Sequence, residues 1–293
     1  MISVVICTRD RAAKLARCLE HFAATADAGN LAWQLVVVDN ASSDGTKAVV
    51  DRYKTRLPIA YAYEARRGLS NARNRGVAEA RHPIVAFTDD DCLPAPDWLR
   101  AIAEEFAAHP HVAVLGGRVV LDDGQDHRMS LRAHDHTERV SSAERILALM
   151  SGCNMAFRRS VFDRVGLFDP LFGKGVRVGS AEEIDILYRA LRAGVDIAYV
   201  PAIVVRHAHG RDTSEEIESV AREYVRGRGA FYRKFIGDRQ IARMAYWEVT
   251  ALLRETLHGK GAAKVLRGLA AGALYQSLTG RGASRATAGR AEM

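Results

Sequence analysis

Apolar residues fall along the first two thirds of this chain in two alternating rhythms. Short unbroken runs of β-formers occur at Ile2-Ser3-Val4-Val5-Ile6-Cys7, Leu35-Val36-Val37-Val38, Ile59 to Tyr63 and Ile84-Val85-Ala86-Phe87. Between them, apolar residues recur three or four positions apart, as in Leu15, Cys18, Leu19 and Phe22. Short unbroken runs read as strands buried on both faces, and the longer rhythm reads as helix. Helices are therefore predicted from about Ala12, after the turn cluster Asn40 to Thr46, and over Leu69 to Ala80 behind Gly68. Further strands follow at 112–121 and before His207, with a helix from Glu182 carrying Ile186, Leu187, Ala190 and Leu191. Strand and helix alternating at this spacing predict an α/β fold, a mostly parallel, Rossmann-like sheet flanked by helices.

Polar residues gather where these strands stop. Thr8-Arg9-Asp10 ends the first, Asp39 the second, and Asp89-Asp90-Asp91 the fourth, just before Pro94 and Pro96 break the backbone. Ligands of open α/β sheets bind at the carboxyl ends of the strands. Three adjacent carboxylates repel one another unless a cation lies among them, and hard divalent cations bridge carboxylates to phosphates. The triplet is thus read as a metal–diphosphate site, the alternative being an acidic loop ahead of a helix start. Asp39 is placed to accept hydrogen bonds from a nucleobase and ribose, and Arg73 to meet a phosphate. Asp44 reads as a turn or cap residue. No G-x-G-x-x-G follows the first strand and no P-loop is present, so phosphate recognition needs another device.

Charge divides the chain. Residues 1–205 hold 26 Lys+Arg and 26 Asp+Glu, whereas residues 206–293 hold 16 and 9, so the whole net charge of +7 lies in the last third. The four cysteines are scattered without metal-ligand spacing and read as reduced, cytosolic thiols packed as small apolar groups. No basic leader precedes the first strand, and no apolar stretch is long enough to span a bilayer. A cytoplasmic protein is expected, with the inner face of the plasma membrane within its range.

The ordered set Ser3 to Asp10, Val36 to Thr46, Gly68 to Gly76 and Asp89-Asp90-Asp91 resembles the family 2 glycosyltransferases over roughly residues 1–210. The resemblance implies the GT-A fold and inverting transfer of a sugar from a nucleotide diphosphate-sugar donor, with Mn²⁺ or Mg²⁺ on the diphosphate. It implies Asp91 as a metal ligand and Asp89 as a contact to ribose or donor sugar, with Asp90 beside them. Ser151 to Arg159 resembles the family's strand beneath the acceptor site. Ser180-Ala181-Glu182-Glu183-Ile184-Asp185 resembles its acidic pair at a helix start, with Glu183 in the base position and Glu182 and Asp185 as alternatives. Behind a strand, the family's histidine at the metal or diphosphate falls on His207, with His209 as the alternative. The glycine-rich Gly173 to Gly179 loop is expected to close over substrate, carrying Lys174 or Arg177 toward the diphosphate. His127, His134 and His136 read as surface-loop histidines rather than a metal site.

Beyond His209 the resemblance loosens. Apolar stripes at Ala245, Val249, Leu252, Leu253 and Leu257, and at Val265, Leu266, Leu269, Ala273 and Leu274, predict amphipathic helices over 211–278. Residues 279–293 read as a disordered basic tail. These helices suit an anionic membrane carrying a lipid-linked or glycan acceptor, packing on the catalytic domain of residues 1–210, or a homodimer contact. No nucleic-acid partner is expected, because the first 205 residues offer none. The competing reading is a catalytically silent sugar-nucleotide-binding or scaffold protein of the same fold.

Overall fold

The computed structural model describes residues 1–25, 29–122, 132–208, 214–257 and 263–288. The two rhythms become alternating elements: β1 (Ile2–Thr8), α1 (Ala12–Thr25), β2 (Trp33–Asp39), α2 (Thr46–Tyr53), β3 (Ile59–Tyr63), α3 (Leu69–Glu79) and β4 (Ile84–Asp89). β1 pairs in parallel with both β2 and β4, and β2 with β3. Their apolar runs are buried because helices cover the sheet. α1 buries Leu15, Cys18, Leu19 and Phe22, the stripe read from the sequence.

After β4 the chain continues through β5 (Cys92–Pro94), α4 (Trp98–Ala108), β6 (Val112–Leu121), β7 (Glu138–Arg139), α5 (Ala143–Leu149), β8 (Met155–Arg158) and α6 (Ser160–Val165). α7 (Glu182–Arg192) and β9 (Asp196–His207) follow, then α8 (Ser214–Lys234), α9 (Arg239–Leu257) and α10 (Ala263–Ala288). Among the described residues the sheet runs β3-β2-β1-β4-β8-β6-β9-β5, with β7 beside β9. β8 pairs antiparallel with β4 and β6, whereas β6 and β9 are parallel. The sheet is therefore parallel at one end and mixed at the other.

Asn154 ties the mixed end together. Its amide nitrogen donates to Arg118 O and Ile203 O, both at 2.9 Å, and its Oδ1 accepts from Trp98 Nε1 at 2.9 Å. It is 1% exposed, so each of these groups would otherwise be buried without a partner. Gly117 lies so close to Ile203 O that a Cβ could not be placed there. Phe87, Phe157, Phe162 and Phe168 pack edge-on and tilted below β4 and β8.

The chain folds into two compact units. One comprises Met1–Phe168 with Ile186–Gly210, the other Asp169–Asp185 with Arg211–Met293. Residues 169–185 thus group with the C-terminal helices rather than with the sheet, a division that local patterning does not carry. In this second unit α8 and α10 cross at glycines. A Cβ on Gly229 would strike Leu269 O, one on Gly272 would strike Arg226 O, and one on Gly268 would lie 2.7 Å from Val225 Cγ1. Of the two apolar stripes read from sequence, Leu269 is buried but Leu253 and Leu274 are exposed. The backbone remains helical through Ala288, where composition suggested disorder, in a segment containing several helix-favouring alanines. Residues 289–293 lie outside the described residues.

Candidate active site

Parallel register puts Thr8 opposite Asp39 and Cys7 opposite Asp89. Three strand ends therefore present their polar residues along one edge. Thr8 Oγ1 donates to Asp90 Oδ2 at 2.7 Å. Arg11, in the turn before α1, lays one guanidinium across two neighbours. Its Nη1 is 2.8 Å from Asp90 Oδ1, and its Nη2 bonds Asp91 Oδ2. Lys14 Nζ stands 3.9 Å from Asp91 Oδ2, and from β9 His207 Nε2 stands 3.3 Å from Asp91 Oδ1.

This surrounding sorts the triplet electrostatically. Burial pushes the Asp90 carboxyl up to about 7 despite Arg11 and Thr8. Burial acts the same way on Asp91, but the bond to His207 and the charge of Arg11 outweigh it and hold that carboxyl well below the usual range. Burial would lower the His207 imidazole, yet Asp91 outweighs that and holds it at about 9. Of the two buried carboxyls, Asp91 is thus the one held charged, and cations gather on it. Asp89 differs: its side chain is 33% exposed and 3.8 Å from Arg73 Nη2.

Arg73 corrects its sequence reading. Instead of an open cation facing a phosphate, it is 2% exposed. Its Nη2 donates to Gly152 O at 3.1 Å, and its guanidinium packs over Phe87 and Phe168. A Cβ on Gly152 would lie 2.7 Å from Arg73 Nη2. Gly152, in the stretch that resembles the family's strand beneath the acceptor site, allows close approach of Arg73.

On the neighbouring strand Asp39 is held at both oxygens, by Ser42 N at 2.8 Å and by Tyr61 Oη at 2.9 Å. Burial and this carboxylate push the Tyr61 hydroxyl up to about 12, which keeps it a donor. Asn40 donates to Glu64 O and Arg66 O and accepts from Gly68 N at 2.9 Å, strapping the β3–α3 loop to β2. Asp10, at φ +51°, accepts from Ser43 N at 2.7 Å and pairs with Arg9 at 3.4 Å, so it braces the 40–46 turn. Asp44 takes Ala12 N and Thr46 N, the turn and cap role read for it.

Arg11, Asn40 and Tyr61 were not singled out by sequence reasoning. Arg11 lies in a stretch that reads as an ordinary polar turn, and the partners of all three are far away in sequence. His207 was chosen over His209 for following the strand directly, and it meets Asp91; His209 and His127 lie outside the described residues. His136 instead contacts Asp135 and Glu138 at an exposed position, and no group of ligating side chains among the described residues includes His134 or His136.

Two of the three donors gathered here suit an ion such as Mn²⁺, and the third, a thiol, is soft. An Asp91 oxygen, a His207 nitrogen and Cys92 Sγ lie within 4.8 Å of one another. Carboxylate oxygen and imidazole nitrogen are ordinary ligands of Mn²⁺, and carboxylate oxygen of Mg²⁺. As the structure stands, Arg11 and His207 supply the positive charge beside Asp91, so binding an ion there would release the His207 proton.

In the second unit, Ala181 at φ +74° leads directly into the acids of α7. Such a backbone costs on the order of 1–3 kcal/mol for a residue with a Cβ. Glu182 is buried and Glu183 half-buried. Asp185 is fully buried and ion-paired at 2.6 Å with Lys234 Nζ, which also reaches Asp169 at 2.7 Å. That pairing holds Asp185 against a cation inside the second unit. Lys174 is exposed, and the Arg177 guanidinium lies 5.4 Å from the Tyr275 ring centre.

Residues 3–166 match the family described as Glycosyl transferase family 2. The chain is 26% identical over 213 residues to the O-antigen chain rhamnosyltransferase WbaN of Salmonella anatum, covering 69% of this chain and 65% of that protein. It is 37% identical over 122 residues to a validoxylamine A glucosyltransferase of Streptomyces hygroscopicus subsp. jinggangensis, covering 40% of this chain and 28% of the relative. The chain thus spans between about a quarter and two thirds of these relatives' length. Among solved structures, the mannosyltransferase PcManGT from Pyrobaculum calidifontis, in complex with GDP-Man and Mn²⁺, superimposes with a TM-score of 0.66 at 22% identity, covering 98% of this chain and 80% of that one. S. aureus TarS 1-349 in complex with UDP gives 0.60 at 20% identity, covering 78% and 65%. The fold is accordingly the GT-A fold.

Proposed function

This chain belongs to the glycosyl transferase family 2, and from that premise we propose that it moves a sugar from a nucleotide diphosphate-sugar donor to an acceptor hydroxyl, with inversion at the anomeric carbon. The observation that carries the reading is the single polar edge on which Thr8, Asp39 and the Asp89–Asp91 triplet meet His207. Asp39, oriented by Tyr61 and Ser42, accepts hydrogen bonds from the nucleoside, while Thr8, Arg9 and Asp10 shape the neighbouring wall. Asp91 and His207 would hold Mn²⁺ or Mg²⁺. When bound, that ion would supply positive charge against the negative charge building on the departing diphosphate.

Asp89 contacts ribose or donor sugar and is kept in place by Arg73, which acts through it from beneath Gly152. Asp90 shares the Arg11 guanidinium with Asp91 and locks the triplet to β1 through Thr8. Glu183 takes the proton of the acceptor hydroxyl as the oxygen attacks the anomeric carbon and the bond to the diphosphate breaks. Glu182, one position earlier and more buried, is the alternative base. The relatives that act on O-antigen chains and dolichyl phosphate favour a cell-surface glycan or glycolipid acceptor.

No helix among the described residues is long and apolar enough to cross a membrane. The second unit offers a different contact. On α9, Arg243, Tyr246, Trp247, Leu253 and Arg254 are exposed, and their spacing puts them on one side of the helix. Aromatic, aliphatic and arginine side chains together suit an anionic bilayer surface presenting a lipid-linked acceptor. Flotation with anionic liposomes at low salt tests this, and failure to float removes it.

A thermal-shift screen of UDP- and GDP-sugars with and without Mn²⁺, followed by turnover of whichever donor binds, tests the activity. Metal-dependent stabilisation by a nucleotide sugar and release of its nucleoside diphosphate are expected. Binding without turnover on any acceptor would favour the silent scaffold reading instead.

A further inference from the structure

Cys92 follows the carboxylate triplet directly, and antiparallel register sets it opposite His207. Opposed residues of an antiparallel pair project to the same face. Cys153 reaches the same spot from the turn ahead of β8, its Sγ 3.3 Å from Ser151 Oγ. Cys92 Sγ, Cys153 Sγ and an Asp89 carboxylate oxygen lie within 4.8 Å of one another. Cys92 is also a corner of the set formed with Asp91 and His207. Both thiols are buried, and neither is in a disulfide.

Sequence spacing shows none of this, because Cys92 and Cys153 lie 61 residues apart. A tetrahedral ion with sulfur at about 2.3 Å needs its ligand atoms roughly 3.8 Å apart, so small side-chain adjustments would close the set. Two thiolates and one carboxylate select Zn²⁺-like ions, whereas Mg²⁺ and Ca²⁺ prefer oxygen. The Asp89 side chain, a third exposed, supplies the open side through which an ion enters.

We propose that Cys92, Cys153 and Asp89 form a second cation site, selective for a thiophilic divalent ion such as Zn²⁺, abutting the hard-ion ligands Asp91 and His207. Binding forms two metal–sulfur bonds and one metal–oxygen bond and releases the two thiol protons to solvent, with no redox change. Because Cys92 and the triplet backbone are common to both sets, filling the thiolate site opposes loading of Mn²⁺ at Asp91 and His207. It also draws Asp89 away from Arg73. The thiolate site has a spectroscopic readout separate from glycosyl transfer, whereas the antagonism rests on Mn²⁺ binding at Asp91 and His207.

The test titrates the full chain, reduced and anaerobic, with Co²⁺. A near-ultraviolet thiolate-to-cobalt charge-transfer band is expected, saturating at a single ion per chain and bleached by Zn²⁺. Cys92→Ala and Cys153→Ser, each checked for native circular dichroism, should lose the band, while Cys7→Ala and Cys18→Ala should keep it. On the native chain, Zn²⁺ should protect Cys92 and Cys153, and not Cys7, from alkylation mapped by mass spectrometry, which needs no variant to fold. Added Zn²⁺ should also restore the free Mn²⁺ signal in electron paramagnetic resonance. Absence of the band, its survival in the Cys92→Ala/Cys153→Ser double variant, or equal alkylation of all thiols with and without Zn²⁺ would overturn the site. Unchanged Mn²⁺ occupancy would overturn the antagonism.

Discussion

The strand ends of the first unit and the helices of the second are built on opposite rules. At the strand ends, what matters is what is present: Thr8, Arg11, Asp39, the triplet and His207 are each positioned by strand register and held by charge or hydrogen bond. In the crossing of α8 and α10, what matters is what is missing, since Gly229, Gly268 and Gly272 let backbones touch. Apolar runs in the sheet are buried as their pattern demands, whereas Tyr246, Trp247 and Leu274 stand 58% or more exposed. The contrast teaches that hydrophobic period locates a buried strand well but does not decide which face of a late helix is covered.

The largest effect is expected at the charge centre. Asp91→Ala should abolish Mn²⁺-dependent stabilisation by a donor and lower turnover more than about 100-fold, since even outer-shell partners of a metal cost 10–100-fold. Donor affinity and turnover that survive this change would remove Asp91 from the metal site. Next in size is the hub of the sheet. Asn154→Ala leaves Trp98 Nε1 and two carbonyls unpaired, and should cost at least about 1–3 kcal/mol in urea unfolding. A loss within error would show that water replaces the amide.

The glycine crossing comes third. Gly272→Ala should destabilise the second unit by on the order of 1–3 kcal/mol as the helices are forced apart. Limited proteolysis would show α10 released while fragments of the sheet persist. Simultaneous loss of both would mean that the two rules are not separable.

A smaller effect sharpens the charge centre by pH, in protein stripped of metal. His207 titrates at about 9 when folded, against about 6.5 unfolded. Its contribution is therefore complete below the unfolded value and fades as pH rises through about 9. Asp90 acts in a different window, because the penalty of a carboxyl raised to about 7 builds as pH rises above its unfolded value and is complete once the folded group has ionised. Asp91, held low, contributes above its unfolded value and loses that contribution in acid. The melting temperature of apo protein should thus fall between neutral and alkaline pH, and His207→Gln should flatten that fall. A variant with the same slope as the parent would detach His207 from Asp91.

What the sequence made legible follows from local period. The parallel strands, the α1 stripe and the place of the triplet at the end of β4 all rest on residues that signal their state within a few positions. Asn154 gave no such signal, because its partners at 98, 118 and 203 are joined only by the fold. Arg11 was passed over for the same reason, its carboxylates lying some 80 residues on. Arg73 was legible as a site residue, but its direction was not. It lies buried under Gly152, with Nη2 3.8 Å from Asp89, rather than open to solvent. The partner of Asp185 was not legible either, because Lys234 lies far along α8.

The glycine crossing has a consequence for recognising kin of the C-terminal helices. Any descendant that keeps this arrangement is free to repaint most outward positions, yet cannot add mass where α8 meets α10. Its signature is therefore a set of forbidden atoms, and a comparison that rewards shared side chains will overlook it. Aligning these helices by where they tolerate nothing larger than hydrogen would find relationships that likeness of residues conceals.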